Sequence, residues 1–398
     1  MPTVTTSAAI TAVEGFFDED TDDLERLDEL IDTVTPADQY RYAVGIEREV
    51  VIYDIVQLEP LVATTAGRRA VMTELARAFN RGPGIVVIRN AINRAVLDRA
   101  NVEFDALIDA QNASGAAAGD YFVKAGANDR VWNALEKLAV DAPEVFVAYY
   151  ACDAIALAAT AWLGPGYQIT SQLNQVRPGG TAQRAHRDYP LGFTTAAQAA
   201  AYPVHVHSFG PMLTLQGAVA HRDMPVESGP TKYLPHSHKL HSGYVAWHQH
   251  AVRDRFEERF VQLPLDAGDA VFFNPAVFHA AGSNRTSDVM RLANLLQIVS
   301  PFVKAMESID HTRMVRAVYP ALLALSSQGS SPQLLANAIT AAADGYSFPT
   351  NLDRDIPTEG RAAESQAELV MRAVRERLPQ EALDEMLAAA EHRRRTAG

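Results

Sequence analysis

The sequence contains a single cysteine, Cys152, among its 398 residues. One cysteine can form neither an internal disulfide nor a thiolate metal cluster, so both are excluded. Positive charge is also scarce, because 35 lysines and arginines stand against 48 acidic residues and give a formal net charge of −13. This balance gives no electrostatic support for a nucleic-acid partner, and it weakly disfavours a polyanionic substrate.

A targeting signal and a clear membrane span are also missing. The opening residues, MPTVTTSAAITAVEGFFDEDTDDLERLDELID, contain no basic n-region and no long apolar run, so we expect no secretory signal and a cytoplasmic location. The longest apolar stretch, residues 145–164, has the length of a membrane span. It contains Asp153 and lies between DAPE and GPGY, which favours a core helix, and we expect no membrane partner.

The spacing of apolar residues divides the chain into four regions. Residues 1–22 are acidic and predict a tail that is at least partly disordered. Residues 23–164 predict a helical region with two strands that packs on the next region of the chain, and a Gly- and Ala-rich loop over 113–130. Residues 165–300 change to strand-like segments separated by Gly and Pro turns, and residues 301–398 return to helical spacing.

The order of helices, then about seven or eight short strands, then helices predicts an α+β protein. We expect a double-stranded β-helix, a jelly-roll or cupin-like barrel, over 165–300, as the core of a single catalytic domain. Barrels of this kind place a site inside the mouth, where inward-pointing side chains converge. The helical extension is expected to pack around the barrel, to form a homodimer surface, or to supply a lid from residues 344–360.

The tripeptide His-Arg-Asp occurs twice, at residues 186–188 and again at 221–223. Residues i and i+2 of an extended chain point to the same face, so each copy can present an imidazole and a carboxylate to one metal ion. An iron facial triad needs a second histidine from elsewhere and leaves three coordination positions open. His279, which follows a predicted strand far downstream, is a candidate for that histidine.

An arginine at the head of the next strand completes a pocket of known chemistry. The guanidinium of Arg291 could hold the far carboxylate of a dicarboxylic acid through a two-bonded fork. Metal, open positions and arginine together suit 2-oxoglutarate, which would chelate iron through its 1-carboxylate and 2-keto oxygens while its 5-carboxylate meets the arginine. Arg285 competes with Arg291 for this role.

Four stretches of the chain resemble, in the right order, the phytanoyl-CoA dioxygenase (PhyH) family of Fe(II)- and 2-oxoglutarate-dependent oxygenases. They are GPGIVVIRNAINRAVLDRANVEFD, LNQVRPGGTAQRAHRDYP, ESGPTKYLPHSHK and DAGDAVFFNPAVFHAAGSNRTSDVMR, which together cover roughly residues 80–300. In the family the metal pair follows the RPG turn. The resemblance therefore implies that His186, Asp188 and His279 bind the iron, and that the second triplet ends a neighbouring strand.

The resemblance implies a non-haem dioxygenase that uses Fe(II), 2-oxoglutarate and O2 to hydroxylate an unactivated C–H bond, with succinate and CO2 as products. Arg291, Arg177 and Gln175 are the residues it implies for 2-oxoglutarate, although Arg177 could also be an ordinary surface arginine. Halogenating relatives carry a small residue in place of the metal-binding carboxylate, so an intact Asp188 predicts oxidation without halide. In a departure from the family, Ala281 stands where a serine often helps to hold the 5-carboxylate.

Candidate substrate-binding residues lie around the metal pair: Asn174, Tyr189, Phe193, His205 and His207. Asn174 and Gln172 alternate along a strand with Gln175, so only one of these sets can face the pocket, and the sequence does not choose between them. Family members act on several substrate classes. We expect a small polar or carboxylated metabolite, because the net charge of −13 makes a CoA ester less suitable.

Other interpretations of the sequence remain open. Five histidines within residues 236–250 raise the possibility of a zinc site, and His236 stands where the family often has glycine. Trp247 is expected to pack within a helix. A cupin-like metal enzyme that does not use 2-oxoglutarate would explain the histidines but leaves Arg291 without a role, and a barrel that binds a ligand without turnover is a third interpretation.

Overall fold

The structure is a computed structural model that describes residues 15–114, 128–357 and 361–396. Within this part of the chain the strands are β1 (Gly45–Glu47), β2 (Val50–Asp54), β3 (Ile85–Arg89), β4 (Asn128–Val131), β5 (Gln168–Val176), β6 (Thr214–Ala220), β7 (Lys232–Leu234), β8 (Ala270–Phe273), β9 (Phe278–Ala280) and β10 (Arg291–Val299). The helices are α1 (Leu24–Ile31), α2 (Ile55–Val62), α3 (Thr65–Asn80), α4 (Arg94–Ala113), α5 (Ala134–Asp141), α6 (Pro143–Tyr150), α7 (Asp153–Leu163), α8 (Ala196–Ala200), α9 (Val204–Met212), α10 (Gly243–Ala246), α11 (His250–Arg259), α12 (His311–Ser327), α13 (Pro332–Ala342), α14 (Gln366–Glu376) and α15 (Gln380–Arg394).

Eight of these strands form one large sheet in the order β1-β2-β3-β8-β6-β10-β5-β4. Neighbouring strands are antiparallel except for the parallel pair β2 and β3. Strands β7 and β9 form a second, two-stranded sheet, which backbone bridges extend from His279 to His186 and from Tyr233 to Val261. The predicted α+β class is confirmed, with a large and mostly antiparallel sheet at its centre.

Strands β6 and β8, at the centre of the large sheet, are buried along their whole length because both faces of the sheet are covered. On β3, Val86 and Ile88 pack into the main core with the helices, whereas Ile85 and Val87 join a second apolar cluster on the opposite face. That second cluster also contains Tyr233 of the small sheet. The space between the two sheets is therefore lined from both sides, and the site lies there.

The region before residue 165 contributes strands β1 to β4 to the same sheet as the strands of the later region. Helix α12 of the C-terminal extension packs against α5 and α6 of this earlier region. Of the predicted acidic tail, residues 1–14 lie outside the described part of the chain. In the remainder, Phe17 is only 5% exposed and Phe16 forms a backbone bridge with Pro203.

Three local predictions differ from the structure. The sequence HVHSFGPMLTLQGAVAH, residues 205–221, predicts one strand, but its residues up to Met212 form helix α9 and the strand begins only at Thr214. The indole of Trp162 donates to the carbonyls of Pro211 at 3.1 Å and Thr214 at 2.9 Å, which ties the end of this helix to the core. Of the loop predicted over 113–130, residues 115–127 are outside the described chain.

The other two differences concern the strand at the sheet edge and a broken helix. Residues 128–131 form β4, which pairs with β5. The sequence SGYVAWHQHAVRDRFEERF, residues 242–260, predicts a single helix, but the helix is interrupted between α10 and α11, so that residues 247–249 lie in a connecting segment. Both differences place side chains at the cavity between the two sheets.

The apolar stretch 145–164 falls on α6 and α7. No single helix among the described residues is long and apolar enough to cross a membrane. The pair Pro143–Tyr150 and Asp153–Leu163 meets that length and composition only in combination, and the two helices are bent by 62° where they meet.

Candidate metal centre and cavity

Three side chains from two distant parts of the chain converge between the sheets. The ligand atoms of His186, Asp188 and His279 lie within 4.8 Å of one another, and all three residues are buried. The backbone holds them together, because the N–H of His186 donates to the carbonyl of His279 at 3.0 Å and the reverse bond is 3.1 Å. No other group of three histidine, cysteine, aspartate or glutamate side chains comes together in this way within the described residues.

Both histidines are oriented by a backbone carbonyl two residues earlier. The Nδ1 atom of His186 lies 2.7 Å from the carbonyl oxygen of Arg184, and that of His279 lies 2.9 Å from the carbonyl oxygen of Val277. A carbonyl oxygen only accepts hydrogen bonds, so each Nδ1 carries the proton and each Nε2 offers a lone pair. Burial, with the neighbouring His186 as a smaller cause, lowers the pKa of His279 to about 3, which keeps its ring neutral and able to bind a metal.

The carboxylate of Asp188 is held by donors from three places. The backbone N–H of Tyr189 donates to Oδ1 at 3.0 Å, and the side-chain amide of Gln297 donates to Oδ2 at 3.3 Å. The amide of Gln216 also donates to Oδ2. Gln216 and Gln297 are paired in register on β6 and β10. Such charge-assisted hydrogen bonds fix the direction in which a carboxylate presents its free lone pairs.

The central arginine of the triplet points away from the two side chains beside it. Arg187 is fully buried, and its Nη2 donates to the carbonyls of Ser237 at 2.7 Å and Leu240 at 2.8 Å. Its guanidinium lies over the ring of Tyr244 at 5.1 Å. A Cβ atom at Gly243 would overlap this guanidinium, so the loop can close over Arg187 only because position 243 is glycine. Burial lowers the pKa of Arg187 to about 10, which leaves it charged at neutral pH.

The three converging side chains open into a cavity of about 780 Å³ between the two sheets. Arg291, at the start of β10, lies in its wall and is only 5% exposed. Among the described residues, the hydrogen-bond acceptors of its guanidinium are the backbone carbonyls of Ser228 at 3.2 Å and Gly282 at 3.5 Å. Burial lowers its pKa to about 10, with nearby Arg130 as a further cause, so Arg291 stays positively charged at neutral pH. A buried cation of this kind is stabilised by a bound anion.

The other two residues predicted to bind 2-oxoglutarate do not line this cavity. On β5, Gln172 and Asn174 face the cavity, whereas Gln175 alternates to the other face of the strand. Arg177 lies beyond the end of β5 and forms an ion pair with Asp129 at 2.6 Å. The structure therefore brings Arg291 and Asn174 to the site, and it does not bring Gln175 or Arg177 there.

The residues predicted to bind substrate are divided in the same way. Phe193 lines the cavity and is 47% exposed. The hydroxyl of Tyr189 instead donates to the carbonyl of Lys304 at 2.8 Å, outside the lining. His205 is exposed and His207 is buried, with its Nε2 3.0 Å from the carbonyl of Ala199, because both lie on helix α9 rather than on an inward-facing strand.

The second His-Arg-Asp triplet has no free ligand atom on its histidine. His221 has its Nε2 2.9 Å from the hydroxyl of Tyr149 and its Nδ1 2.7 Å from the side-chain oxygen of Asn101. Asp223 accepts from the N–H of Ala267 at 2.8 Å. Arg285, the competitor of Arg291, is exposed and does not line the cavity.

The histidine-rich segment 236–250 does not form a metal cluster in the described chain. Instead His238 lies 3.1 Å from the carbonyl of Asn80 and His241 lies 3.0 Å from the hydroxyl of Ser208. His236 adopts a φ of 68°, the left-handed conformation that favours glycine. His248 lines the cavity, as does Trp247, which was expected to pack within a helix.

Several cavity residues were missed by sequence reasoning. Gln216 is the one amide on β6, and Gln297 shares β10 with a second amide, Asn294; amides on buried strands need hydrogen-bond partners and are a usable signal of an inward-facing function. Arg130 lies on the edge strand β4, within the loop predicted over 113–130, and Trp132 follows directly after that strand. Met306 comes from the segment between β10 and α12.

That connecting segment closes one side of the cavity. The carboxylate of Glu307 accepts from the backbone N–H of Asn133 at 2.6 Å and from the amide of Gln172 at 3.3 Å. The loop proposed as a lid lies elsewhere: in its described part, residues 344–357, no side chain lines the cavity, and the ring of Tyr346 packs against Phe302 at 5.4 Å.

Part of the chain is similar to curated proteins. Dioxygenase trt7 of Aspergillus terreus is 30% identical over 128 residues, which is 32% of this chain and 39% of trt7. Dioxygenase aneA of Aspergillus aculeatus is 26% identical over 145 residues, which is 36% of this chain and 43% of aneA. The aligned part therefore spans less than half the length of either relative.

Solved structures show similarity at lower identity. The non-heme alpha-ketoglutarate-dependent epimerase SnoN from nogalamycin biosynthesis is 21% identical with a TM-score of 0.39, over 58% of this chain and 84% of SnoN. The carbocyclase SnoK from the same biosynthesis is 18% identical with a TM-score of 0.41, over 57% of this chain and 83% of SnoK.

The family model named phytanoyl-CoA dioxygenase (PhyH) matches residues 81–293. This range contains both His186 and Asp188, as well as His279 and Arg291. Because the match covers more than half of the chain and includes every one of the converging side chains, the protein belongs to the phytanoyl-CoA dioxygenase (PhyH) family.

Proposed function

We propose that this protein is an Fe(II)- and 2-oxoglutarate-dependent oxygenase that hydroxylates a C–H bond of a small-molecule substrate. In this reaction O2 supplies one oxygen atom to the substrate and one to succinate, and the 1-carboxylate of 2-oxoglutarate leaves as CO2. The observation that carries the proposal is the meeting of His186, Asp188 and His279 within 4.8 Å in a cavity that also contains the buried cation Arg291.

The residues present fit iron. Two neutral imidazoles and one carboxylate form a nitrogen and oxygen donor set that suits Fe(II), and three ligands on one side leave room for a chelating co-substrate. When bound, Fe(II) and 2-oxoglutarate would activate O2, which is the oxidant that converts the substrate C–H bond to C–OH. The protein contributes ligand orientation, through the carbonyls behind His186 and His279 and the amides behind Asp188.

Arg291 is the residue we assign to the 5-carboxylate of 2-oxoglutarate. It is buried, it remains charged, and only carbonyl oxygens accept from it among the described residues. The walls around it are largely apolar, which strengthens the attraction between a guanidinium and a carboxylate. A buried diacid would therefore satisfy a cation that no residue of the described chain neutralises.

Thr231 offers a hydroxyl close to Ala281, the position at which relatives often have the hydroxyl of a serine. Ala281 stands where relatives often have serine, and it lines the cavity. Lys232 pairs with Ala280 in the small sheet, so continuing this register by one residue places Thr231 opposite Ala281. Thr231 also lines the cavity. We assign it the hydrogen bond to the 5-carboxylate that the missing serine would have made.

The decisive assay follows succinate. Protein purified without oxygen is mixed with Fe(II), 2-oxoglutarate and O2, and succinate formation is expected even without the true substrate, because uncoupled turnover consumes the co-substrate. Metal uptake without any succinate, across many candidate substrates, would support a ligand-binding barrel instead. Oxidation of a substrate without consumption of 2-oxoglutarate would support a cupin-like enzyme.

Finer features of the proposal concern the same site. The two sheets that enclose the cavity support assignment of the core to a double-stranded β-helix. Desaturation or ring closure would replace hydroxylation if the substrate presented a different C–H bond. A homodimer through the C-terminal helices and a cytoplasmic location stay predictions.

A further inference from the structure

The cavity extends well beyond the space that a five-carbon diacid requires. Its volume of about 780 Å³ is in the range that accommodates a drug-sized ligand. Large side chains from separate parts of the chain line it around the metal centre: Trp132, Phe193, Trp247 and Met306. Aromatic walls of this kind stack against flat rings or meet their edges, and they offer little to a small, strongly hydrated molecule.

Unpaired polar atoms interrupt these apolar walls. The indole N–H of Trp247, the Nε2 of His248 and the amide oxygen of Asn174 are buried and have no hydrogen-bond partner among the described residues. Buried polar groups without partners are unfavourable, so a cluster of them inside a cavity indicates the place of a ligand's polar groups. Because an indole N–H can only donate, the ligand must present an acceptor such as a carbonyl or hydroxyl oxygen to Trp247.

We infer that the substrate is a flat, ring-containing and mostly apolar molecule that bears an oxygen acceptor, and that Trp247 and His248 position it. This inference rests on the proposed function, because it names the substrate class of the same site. It replaces the small polar metabolite expected from the sequence. The two residues are neighbours in the chain, and their rings lie 3.9 Å apart between centroids with a tilt of 33°.

Hydrogen bonds and a ring contact of Arg187 fix the positions of Trp247 and His248 relative to the metal ligands. Arg187, between the two ligand residues, donates to the carbonyls of Ser237 and Leu240, which lead directly into α10. The ring of Tyr244 on α10 lies against the same guanidinium. The segment that carries the substrate contacts is therefore fixed to the tripeptide that carries the ligands.

A matched pair of probes tests the inference. N-methylacridone is a neutral three-ring compound with a carbonyl oxygen, and N-methylacridinium is its planar cation without that oxygen. Equilibrium dialysis against the full chain, loaded with Fe(II) and 2-oxoglutarate without oxygen, measures the affinity for each probe. We expect N-methylacridone to bind at least about tenfold more tightly than N-methylacridinium, since the latter has no oxygen that could accept a hydrogen bond from Trp247.

Variants then locate the contact. Trp247→Phe should weaken N-methylacridone binding by about tenfold, because it removes the donor and keeps an aromatic ring. Trp162→Phe is the matched control, since Trp162 does not line the cavity and its indole already donates to backbone carbonyls. His248→Phe should also weaken binding. The visible absorption of the Fe(II) and 2-oxoglutarate complex reports whether each variant keeps an intact metal site.

The outcomes separate the inference from the proposed function. Equal binding of the two probes, or unchanged N-methylacridone binding in Trp247→Phe, would overturn the inference while the metal complex still formed. Binding of N-methylacridone by a protein that forms no Fe(II) and 2-oxoglutarate complex would overturn the proposed function and leave the ligand class supported. Loss of binding in Trp162→Phe equal to that in Trp247→Phe would also overturn the assignment to Trp247.

Discussion

Residues 186–188 and 221–223 have the same three side chains in the same order, but their surroundings differ. In the first triplet a backbone carbonyl holds Nδ1 of His186, and the ligand atoms of Asp188 and His279 converge beside the ring. In the second, Tyr149 and Asn101 occupy both nitrogens of His221. The comparison indicates that a His-x-Asp pair can bind a metal when the backbone orients one imidazole nitrogen and further ligands converge on the other side of the ring.

The central arginines differ as clearly as the histidines. Arg187 is buried and holds the loop that begins at Ser237, whereas Arg222 is partly exposed and forms an ion pair with Asp105 at 2.8 Å. The first triplet thus forms part of the cavity wall. The second follows the end of a strand, with His221 in the core and Arg222 near the surface. Substitutions in and around the two triplets can test this contrast.

The largest expected effect separates the two histidines. His186→Ala should abolish iron retention and succinate formation, because it removes a ligand from a set of three. His221→Ala should leave iron content largely intact. The iron content of each purified variant, measured by a colorimetric chelator, checks this. Iron retained by His186→Ala and lost by His221→Ala would move the metal site to the second triplet.

Arg291 and Arg285 allow the same substitution to be compared at a buried cavity position and at an exposed one. Arg291→Gln should raise the 2-oxoglutarate concentration needed for half-maximal turnover by about tenfold to a hundredfold, because a buried charge-assisted pair is lost. Arg285→Gln makes the same chemical change at an exposed residue and should have no such effect. A shift in Arg285→Gln alone would assign the 5-carboxylate to Arg285.

The two aspartates are held by different kinds of donor, and this can be tested as well. Gln297→Leu removes an amide that donates to Asp188, so iron affinity should fall by about tenfold, as is typical when a partner of a metal ligand is removed. Asp223 is held by a backbone N–H that this substitution does not touch. An unchanged iron affinity in a competition titration would show that Gln216 and Tyr189 suffice to orient Asp188.

A smaller effect is expected at the hydroxyl that we assign to the co-substrate. Thr231→Val should raise the 2-oxoglutarate requirement by about fivefold, the size of one ordinary hydrogen bond. Adding Ala281→Ser should restore the lost bond from the neighbouring strand. If steady-state assays show no loss in Thr231→Val, or no recovery in the double variant, the assignment of Thr231 is wrong.

The smallest effect concerns stability and tests the second triplet. Burial lowers the pKa of His221 from 6.5 to about 3, so between these values the unfolded chain binds a proton that the folded protein does not. The contribution of His221 to the free energy of unfolding is therefore complete above pH 6.5 and is lost as pH falls toward 3. Urea unfolding at about pH 7.5 and about pH 5 should show a smaller pH dependence for His221→Gln than for the unaltered protein. An identical dependence would mean that His221 is not buried in its neutral form.

The meeting of the metal-binding residues could be predicted because it depends on local spacing. His186 and Asp188 are two residues apart in an extended segment, and His279 follows a strand that had to lie near them for any barrel to close. Arg291 was predictable for a similar reason, since it begins the next strand. These inferences need only the alternation of side chains along strands.

Features that depend on distant packing could not be predicted in this way. Whether Gln175 or Asn174 faces the cavity depends on which side of β5 meets the second sheet, and nothing in the strand itself decides that. Helix α9 was missed because its alternating histidines mimic a strand, while its end is held by Trp162 from another helix. The role of Trp247 depends on a break between two helices that composition does not reveal.

Because Gly243 must have no side chain, few substitutions or insertions around it are compatible with the position of Arg187. Any larger residue there would displace the Arg187 guanidinium and, with it, the backbone between His186 and Asp188. Insertions in the neighbouring loop should therefore impair iron binding before they alter substrate preference. Directed evolution for new substrates should accept replacements at positions 247 and 248 and reject changes in the length of the chain that leads to them.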